Sequence, residues 1–145
     1  MTPENSRGYE LTLSALRFGF GVLLAWHHGR GQIVAAWAHF LHGKDWDFIT
    51  YVARIGFPLP SFFALCVAVA EFFGGLLLGI GLLTRYAAAL VTFNMGVAVF
   101  HHLRTNTEGE LAWVYFLPAL FFIFSPPGKW SVDAWWKRLQ HKQKE

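Results

Sequence analysis

A chain of 145 residues that is 54% hydrophobic, 18% aromatic and only 14% charged departs from the composition of soluble domains. Its length allows one domain, and its clustered apolar residues exclude an ordinary water-soluble enzyme in favour of an integral membrane protein. The formal charge of +3 is accompanied by no nucleic-acid-binding motif, so we expect membrane lipid, and no nucleic acid, as the partner of the basic residues. We therefore expect residues 1–145 to form a single transmembrane domain.

Four apolar segments have the length that a membrane-crossing helix needs. In chain order they cover about residues 11–28, 60–83, 86–103 and 110–125. Arg17 interrupts the first apolar stretch and no small-residue cleavage site follows it, so we expect a retained span and not a signal peptide. The sequence predicts an all-α, multi-pass four-helix bundle.

The connection between the first two spans, residues 29–59, is long and patterned. Ile33, Trp37 and Phe40 recur at helical spacing, which predicts an amphipathic helical loop. The motif GFPLP at 56–60 ends this connection, because glycine and proline interrupt regular structure.

The orientation follows from the basic residues outside the spans. An even number of spans places both termini on one side of the membrane. That side collects Arg7, Arg85, Lys129, Lys137, Arg138, Lys142 and Lys144, and the other side has Arg30, Lys44, Arg54 and Arg104. The excess predicts that both termini are cytoplasmic. Residues 129–145 form a basic cytoplasmic tail whose tryptophans suit the lipid headgroup layer.

Glu71 lies near the middle of the second predicted span. An ionisable side chain there costs about 2.5–3.5 kcal/mol and normally faces a partner, for which Arg17 is the candidate. Gly74 and Gly75 allow another helix to approach closely. Three interpretations remain open: an ion pair that fixes helix packing, a proton-transferring pair in which Glu71 and Arg17 are the catalytic residues, and a carboxylate that faces a lipid or quinone pocket.

Two similar motifs end the outward-running spans, WHHGR at 26–30 and FHHLR at 100–104, and both are predicted near the outer face. Imidazoles bind copper, zinc, iron or haem, and the alternative role is interfacial hydrogen bonding or packing. The candidate metal ligands are His27, His28, His101 and His102. The candidate cofactor contacts are His28, Asn94 and Trp26, where Trp26 would be a stacking surface for a quinone.

The motifs, in this order along the chain, resemble the DoxX family of small four-span membrane proteins. The resemblance rests on ALRFGFGVLLAWHHG at 15–29, GFPLP at 56–60, AEFFGGLLLGIGLLTR at 70–85 and SPPGKWSVD at 125–133. It implies a bacterial or archaeal cytoplasmic (inner) membrane protein. Relatives in that family include the membrane subunit of a thiosulfate:quinone oxidoreductase. The chain departs from the family at GRGQIV, where a lysine is usual after His-Gly.

Three functions are compatible with these residues. The first is a quinone-linked membrane subunit in which Glu71 and Arg17 handle the proton and a soluble oxidoreductase partner supplies electrons. The second is a non-catalytic scaffold that recruits a soluble redox partner, and the third is metal or haem handling through the paired histidines. Because no flavin, dinucleotide or iron–sulfur motif is present, the chain is at most one subunit of an enzyme. Its glycine-rich second span is also typical of helices that form homo-oligomers.

Overall fold

The computed structural model describes residues 3–142, and that part of the chain is helical with no strand. The all-α prediction is confirmed. Two π-helical segments interrupt the otherwise α-helical structure. The elements are α1 (Pro3–Leu23), π1 (Leu24–Gly29), α2 (Arg30–His42), α3 (Asp47–Arg54), α4 (Pro60–Val69), π2 (Ala70–Gly74), α5 (Gly75–Ile80), α6 (Thr84–Thr105), α7 (Glu110–Phe124) and α8 (Val132–Lys142).

The first helical run is longer than the sequence predicts. The segments α1, π1 and α2 follow one another without a gap from Pro3 to His42, a length of roughly 60 Å. Gly43 ends the run in the left-handed conformation with φ 63°, and its N–H donates to His39 O. The predicted loop helix around Ile33 and Phe40 therefore exists, but it is a direct continuation of the first span.

The second run, α4–π2–α5, packs antiparallel against the first one. The segments pair in order, α1 with α5, π1 with π2 and α2 with α4. Glycines bring the backbones together: a Cβ atom built on Gly21 would lie 2.5 Å from the nitrogen of Gly79, and one on Gly29 would lie 2.5 Å from Cα of Phe72.

The glycine contacts also show which part of the first run lies beside the second run. Gly29 lies level with Phe72, in the middle of Pro60–Ile80, and Arg17 lies level with Gly81 at its end. The part of the first run that packs beside Pro60–Ile80 therefore begins and ends later in the chain than residues 11–28. His28 consequently lies beside the middle of the second run.

Two helices within residues 3–142 are long and apolar enough to cross a membrane, Pro60–Ile80 and Thr84–Thr105, and they correspond to the second and third predicted spans. A shorter apolar helix, Glu110–Phe124, corresponds to the fourth. Large apolar side chains face outward along them, as Phe93 at 72% and Phe124 at 77% exposure illustrate. Such a surface is typical of a protein surrounded by lipid.

The apolar core lies between α1, α5, α6 and α7. Its buried members include Leu13, Leu24, Leu78, Val91, Met95 and Phe122. A second, smaller cluster surrounds Trp46 and Val52 and holds α3 against α2 and α4. The aromatic rings of the short helix α3 thus lie over one end of the α2–α4 pair, where they close one side of the cavity described next.

Candidate functional site

The two π-helical segments meet in the middle of the molecule. Segment π1 contains His27 and His28, π2 contains Glu71, and the two pack against each other at Gly29 and Phe72. A π-helical turn widens the helix and turns the following side chains to a different face, and such turns occur frequently at functional sites. Here both widened turns direct their polar residues to one cavity.

Glu71 lies in the wall of a cavity of about 1010 Å³. Asn94 Nδ2 of α6 donates a hydrogen bond to Glu71 Oε1 over 3.4 Å. Tyr115 of α7 lines the same cavity, and its ring packs edge-on against the His28 ring with the centroids 5.0 Å apart. These four polar side chains therefore come from four different helical runs.

The rest of the cleft is mainly apolar, with a polar rim. The apolar lining includes Phe48, Val52, Phe57, Phe63, Met95 and Leu111. The rim carries His27, Gln32, Asp45, Asp47 and His102, and Cys66 lies on the wall with an exposed side chain. None of the described residues that line the cleft is lysine or arginine. A cleft without a cation favours a neutral or cationic ligand over an anionic one.

One side of the cleft is closed by α3 and the residues before it. Trp46 is buried, and its Nε1 donates to Gln32 Oε1 of α2 over 3.1 Å. Tyr51 of α3 packs edge-on against His101 at 5.6 Å. These contacts connect α3 and the residue before it to α2 and α6, so this short helix forms part of the site.

Arg17 is not part of the cleft, and the predicted pairing of Arg17 with Glu71 is wrong. The Arg17 side chain is 2% exposed, and its guanidinium donates to the carbonyl oxygens of Pro127 and Trp130. It lies directly against Gly81, at the opposite end of α5 from Glu71. The partner of Arg17 is the backbone of the segment that follows α7, a contact between distant parts of the chain.

The same segment also caps α6. The Asp133 carboxylate accepts hydrogen bonds from Leu83 N at 2.8 Å, from Thr84 N at 2.9 Å and from Thr84 Oγ1 at 2.7 Å. A carboxylate at the positive end of a helix stabilises it. Burial alone would raise the pKa of Asp133, but these hydrogen bonds, together with the Arg17 charge, hold the pKa below its ordinary value.

We expect Asp133→Ala to lower the free energy of unfolding by about 1–2 kcal/mol at neutral pH. Because the native pKa is lowered, the native state binds this proton less tightly than the unfolded state, and the stabilisation is lost as the pH falls below about 4. Unfolding in detergent at several pH values measures this effect. The difference between the variant and the native chain should shrink at acid pH, whereas Glu108→Gln, at an exposed site, should match the native chain throughout.

The four histidines proposed as metal ligands do not converge. His27, His28 and His102 line the cleft, while His101 lines a neighbouring cavity and His102 Nδ1 is 2.8 Å from Thr107 Oγ1. Within residues 3–142, no group of three or more His, Cys, Asp or Glu side chains is arranged to hold a metal ion. The geometry gives the metal hypothesis no support.

The three predicted cofactor contacts differ in position. His28 and Asn94 line the cleft, but Trp26 does not; it is 62% exposed, and the Arg30 guanidinium carbon lies 4.7 Å from the centre of its ring. Trp26 therefore faces the surroundings. Tyr115 is a cleft residue that was not among the predicted contacts. A signal for it in the sequence is that a tyrosine hydroxyl inside an apolar helix needs a polar partner.

The sequence profile of the DoxX family matches residues 12–103, which is well over half of the chain and includes both π-helical segments. The chain belongs to the DoxX family. All of α4, α5 and nearly all of α6 fall within the match, and so do Glu71, Asn94 and His28 of the cleft. Tyr115, Asp133 and the segment that binds Arg17 lie beyond it, so the family match alone does not include the whole site.

Two relatives extend this result. The DoxX chain is 34% identical over 96 residues to an uncharacterized membrane protein of Mycobacterium tuberculosis. This match covers 55% of the DoxX chain and 59% of the mycobacterial protein. It is also 32% identical over 113 residues to an uncharacterized protein of Haemophilus influenzae. That match covers 70% of the DoxX chain and 84% of the Haemophilus protein. The chain thus spans less than two thirds of the mycobacterial relative. No solved structure matches it.

Proposed function

We propose that this DoxX protein is a quinone-binding membrane subunit of an oxidoreductase system, with Glu71 in the wall of the binding cleft. In this proposal the first run, Pro60–Ile80, Thr84–Thr105 and Glu110–Phe124 make four crossings of the bacterial or archaeal inner membrane. Both termini are then cytoplasmic. The single observation that carries the proposal is a carboxylate held by an amide inside a largely apolar cleft.

The cleft residues fit a quinone in size and chemistry. Sites for small molecules are usually about 300–1,000 Å³, mainly apolar, with a few converging polar groups. The cleft has about 1010 Å³, aromatic walls, and Glu71, Asn94, His28 and Tyr115 as polar groups. Amide, imidazole and phenol groups donate hydrogen bonds to carbonyl oxygens, and the lack of a lining lysine or arginine suits an uncharged ring.

Glu71 is the residue that can move a proton. A bound quinone takes up two electrons and two protons when it is reduced, and the electrons would come from a soluble oxidoreductase partner. Asn94 orients the Glu71 carboxyl by its hydrogen bond. His27 and His102 line the same cleft. Arg17 has a structural role in this scheme, since it contacts the segment after α7.

The proposal predicts that quinone co-purifies with the protein and is lost when Glu71 is replaced. The experiment purifies native protein in mild detergent and quantifies quinone per chain by mass spectrometry of a lipid extract. Loss of a charged hydrogen-bonding group costs about 1.5–3 kcal/mol, so Glu71→Gln should lower the affinity by roughly tenfold or more at unchanged yield.

Glu108→Gln is the matched control, because it removes the same charge from an exposed residue outside the cleft. We expect it to retain quinone fully. Native protein that is well folded and contains no quinone would refute the proposal and favour the scaffold function. A visible chromophore or stoichiometric metal in the same sample, lost on replacing His27 and His28, would favour metal or haem handling.

A further inference from the structure

A second cavity, of about 920 Å³, lies beside the cleft and has a different chemical character. One wall is a single face of α6, with lining residues at helical spacing from Thr92 to Thr105. The other walls are residues 54–58, after α3, and Phe116 of α7. The two cavities share Ile55, Phe57, Phe93 and Val97 as a common partition.

Two arginines line this second cavity. They are Arg54, at the end of α3, and Arg104, near the end of α6, and His101 belongs to the same lining. Both arginines are exposed, and no carboxylate belongs to the described lining. The Arg104 guanidinium carbon is 5.6 Å from the centre of the Phe100 ring, a cation–π contact that holds this charge against another lining residue.

The rest of the cavity is apolar and runs along the helix axis. From Arg104 to Phe93, the wall of α6 extends about 16 Å, and its side chains between them include Phe100 and Val97. Gly96 allows the Phe116 ring of α7 to pack close to α6, since a Cβ atom there would lie 3.3 Å from that ring. The result is an elongated apolar groove whose lining includes two exposed arginines.

We propose that this groove binds one anionic phospholipid, with its phosphate at Arg54 and Arg104 and one acyl chain along Phe93, Val97 and Phe100. Guanidinium groups form paired, charge-assisted hydrogen bonds with phosphate oxygens, and the apolar wall replaces contacts with other lipids. The quinone cleft has acidic residues and no arginine, so it repels an anionic headgroup, whereas the arginines of the second cavity attract one. This inference does not depend on the proposed quinone function.

The test is native mass spectrometry of the detergent-purified protein titrated with phosphatidylglycerol or with phosphatidylcholine. A basic residue near a membrane surface contributes about fivefold to the affinity for anionic lipid. We therefore expect the native chain to prefer phosphatidylglycerol for its first bound lipid. The double variant Arg54→Gln/Arg104→Gln should reduce that preference by roughly twenty- to thirtyfold.

The matched control is Arg30→Gln/Lys44→Gln, which removes the same charge from residues that line neither cavity. It should keep the preference, as should Arg54→Lys/Arg104→Lys to a large extent. Glu71→Gln should leave lipid binding unaltered, which separates this result from a failure of the quinone proposal.

Two results would overturn the inference. One is an equal preference for phosphatidylglycerol in the native chain, the arginine double variant and the control. The other is displacement of the first bound lipid by millimolar inorganic phosphate, which would identify a site for a free oxyanion in which the apolar groove takes no part.

Discussion

Replacing Gly29 by alanine should destabilise the protein by about 3 kcal/mol, the upper end of the range for overpacking a tight contact. The new Cβ atom would lie 2.5 Å from both the nitrogen and the Cα of Phe72. These are backbone atoms of π2, so no side-chain rotation can relieve the clash, and the two helical runs must separate. Because π1 and π2 carry His28 and Glu71, quinone binding should fall together with stability. Thermal unfolding in detergent and the quinone content measure the two effects.

Gly31→Ala provides a control two residues away in the same helical run. A Cβ atom at Gly31 would meet nothing within 4 Å, and alanine is favoured over glycine inside a helix by about 0.5–1 kcal/mol. Gly31→Ala should therefore be neutral or slightly stabilising. The pair Gly21→Ala and Gly19→Ala repeats the comparison on α1, because of these two glycines only Gly21 would place a Cβ atom against α5. Equal unfolding temperatures for both members of either pair would show that the two runs do not pack this closely.

Arg17→Met is expected to release the segment that follows α7. The substitution keeps an apolar side chain of similar length but removes hydrogen bonds to Pro127 O and Trp130 O. Hydrogen bonds to a charged group contribute about 1.5–3 kcal/mol each, so the expected loss of stability is about 3 kcal/mol. Limited trypsin digestion should then cut after Lys129 much faster than in the native chain, while cleavage within the helical core stays slow.

The control for this experiment is Arg7→Met, which removes an exposed arginine from the same helix. It should leave the digestion rate after Lys129 unchanged. If Arg17→Met digests like the native chain but loses bound quinone, then Arg17 belongs to the binding site after all, and the role assigned to it from its contacts would be wrong.

Hydropathy and turn residues predicted the helices well, because these features act locally. Pro60 at the start of α4, Gly81 after α5 and the apolar runs between them mark the second and third helices in the sequence alone. The part of the first run that packs beside Pro60–Ile80 was not predicted from local patterns. Its position depends on how Gly21 and Gly29 pack against α5 and π2, a contact between distant segments that no local pattern contains.

Only part of the site was predicted, because local patterns reveal polar residues but not their distant partners. Glu71 and Asn94 could be found as polar residues inside apolar helices, which need partners wherever they lie. Pairing Glu71 with Arg17 assumed that the two charges lie at neighbouring levels, but the packing of the two runs places Arg17 beside Gly81, about 15 Å along the helix from Glu71. The carbonyl groups of Pro127 and Trp130 that bind Arg17 are backbone atoms, so the residue types give no sign of them.

Cys66 has a practical consequence for work on this protein. It is the chain's one cysteine, it has an exposed side chain and it lies on the wall of the cleft. A membrane-permeant maleimide dye will therefore attach to the native chain at a single known position, with no cysteine-free background to engineer. The labelling rate and the dye emission then report occupancy of the cleft in real time, in intact membranes as well as in detergent.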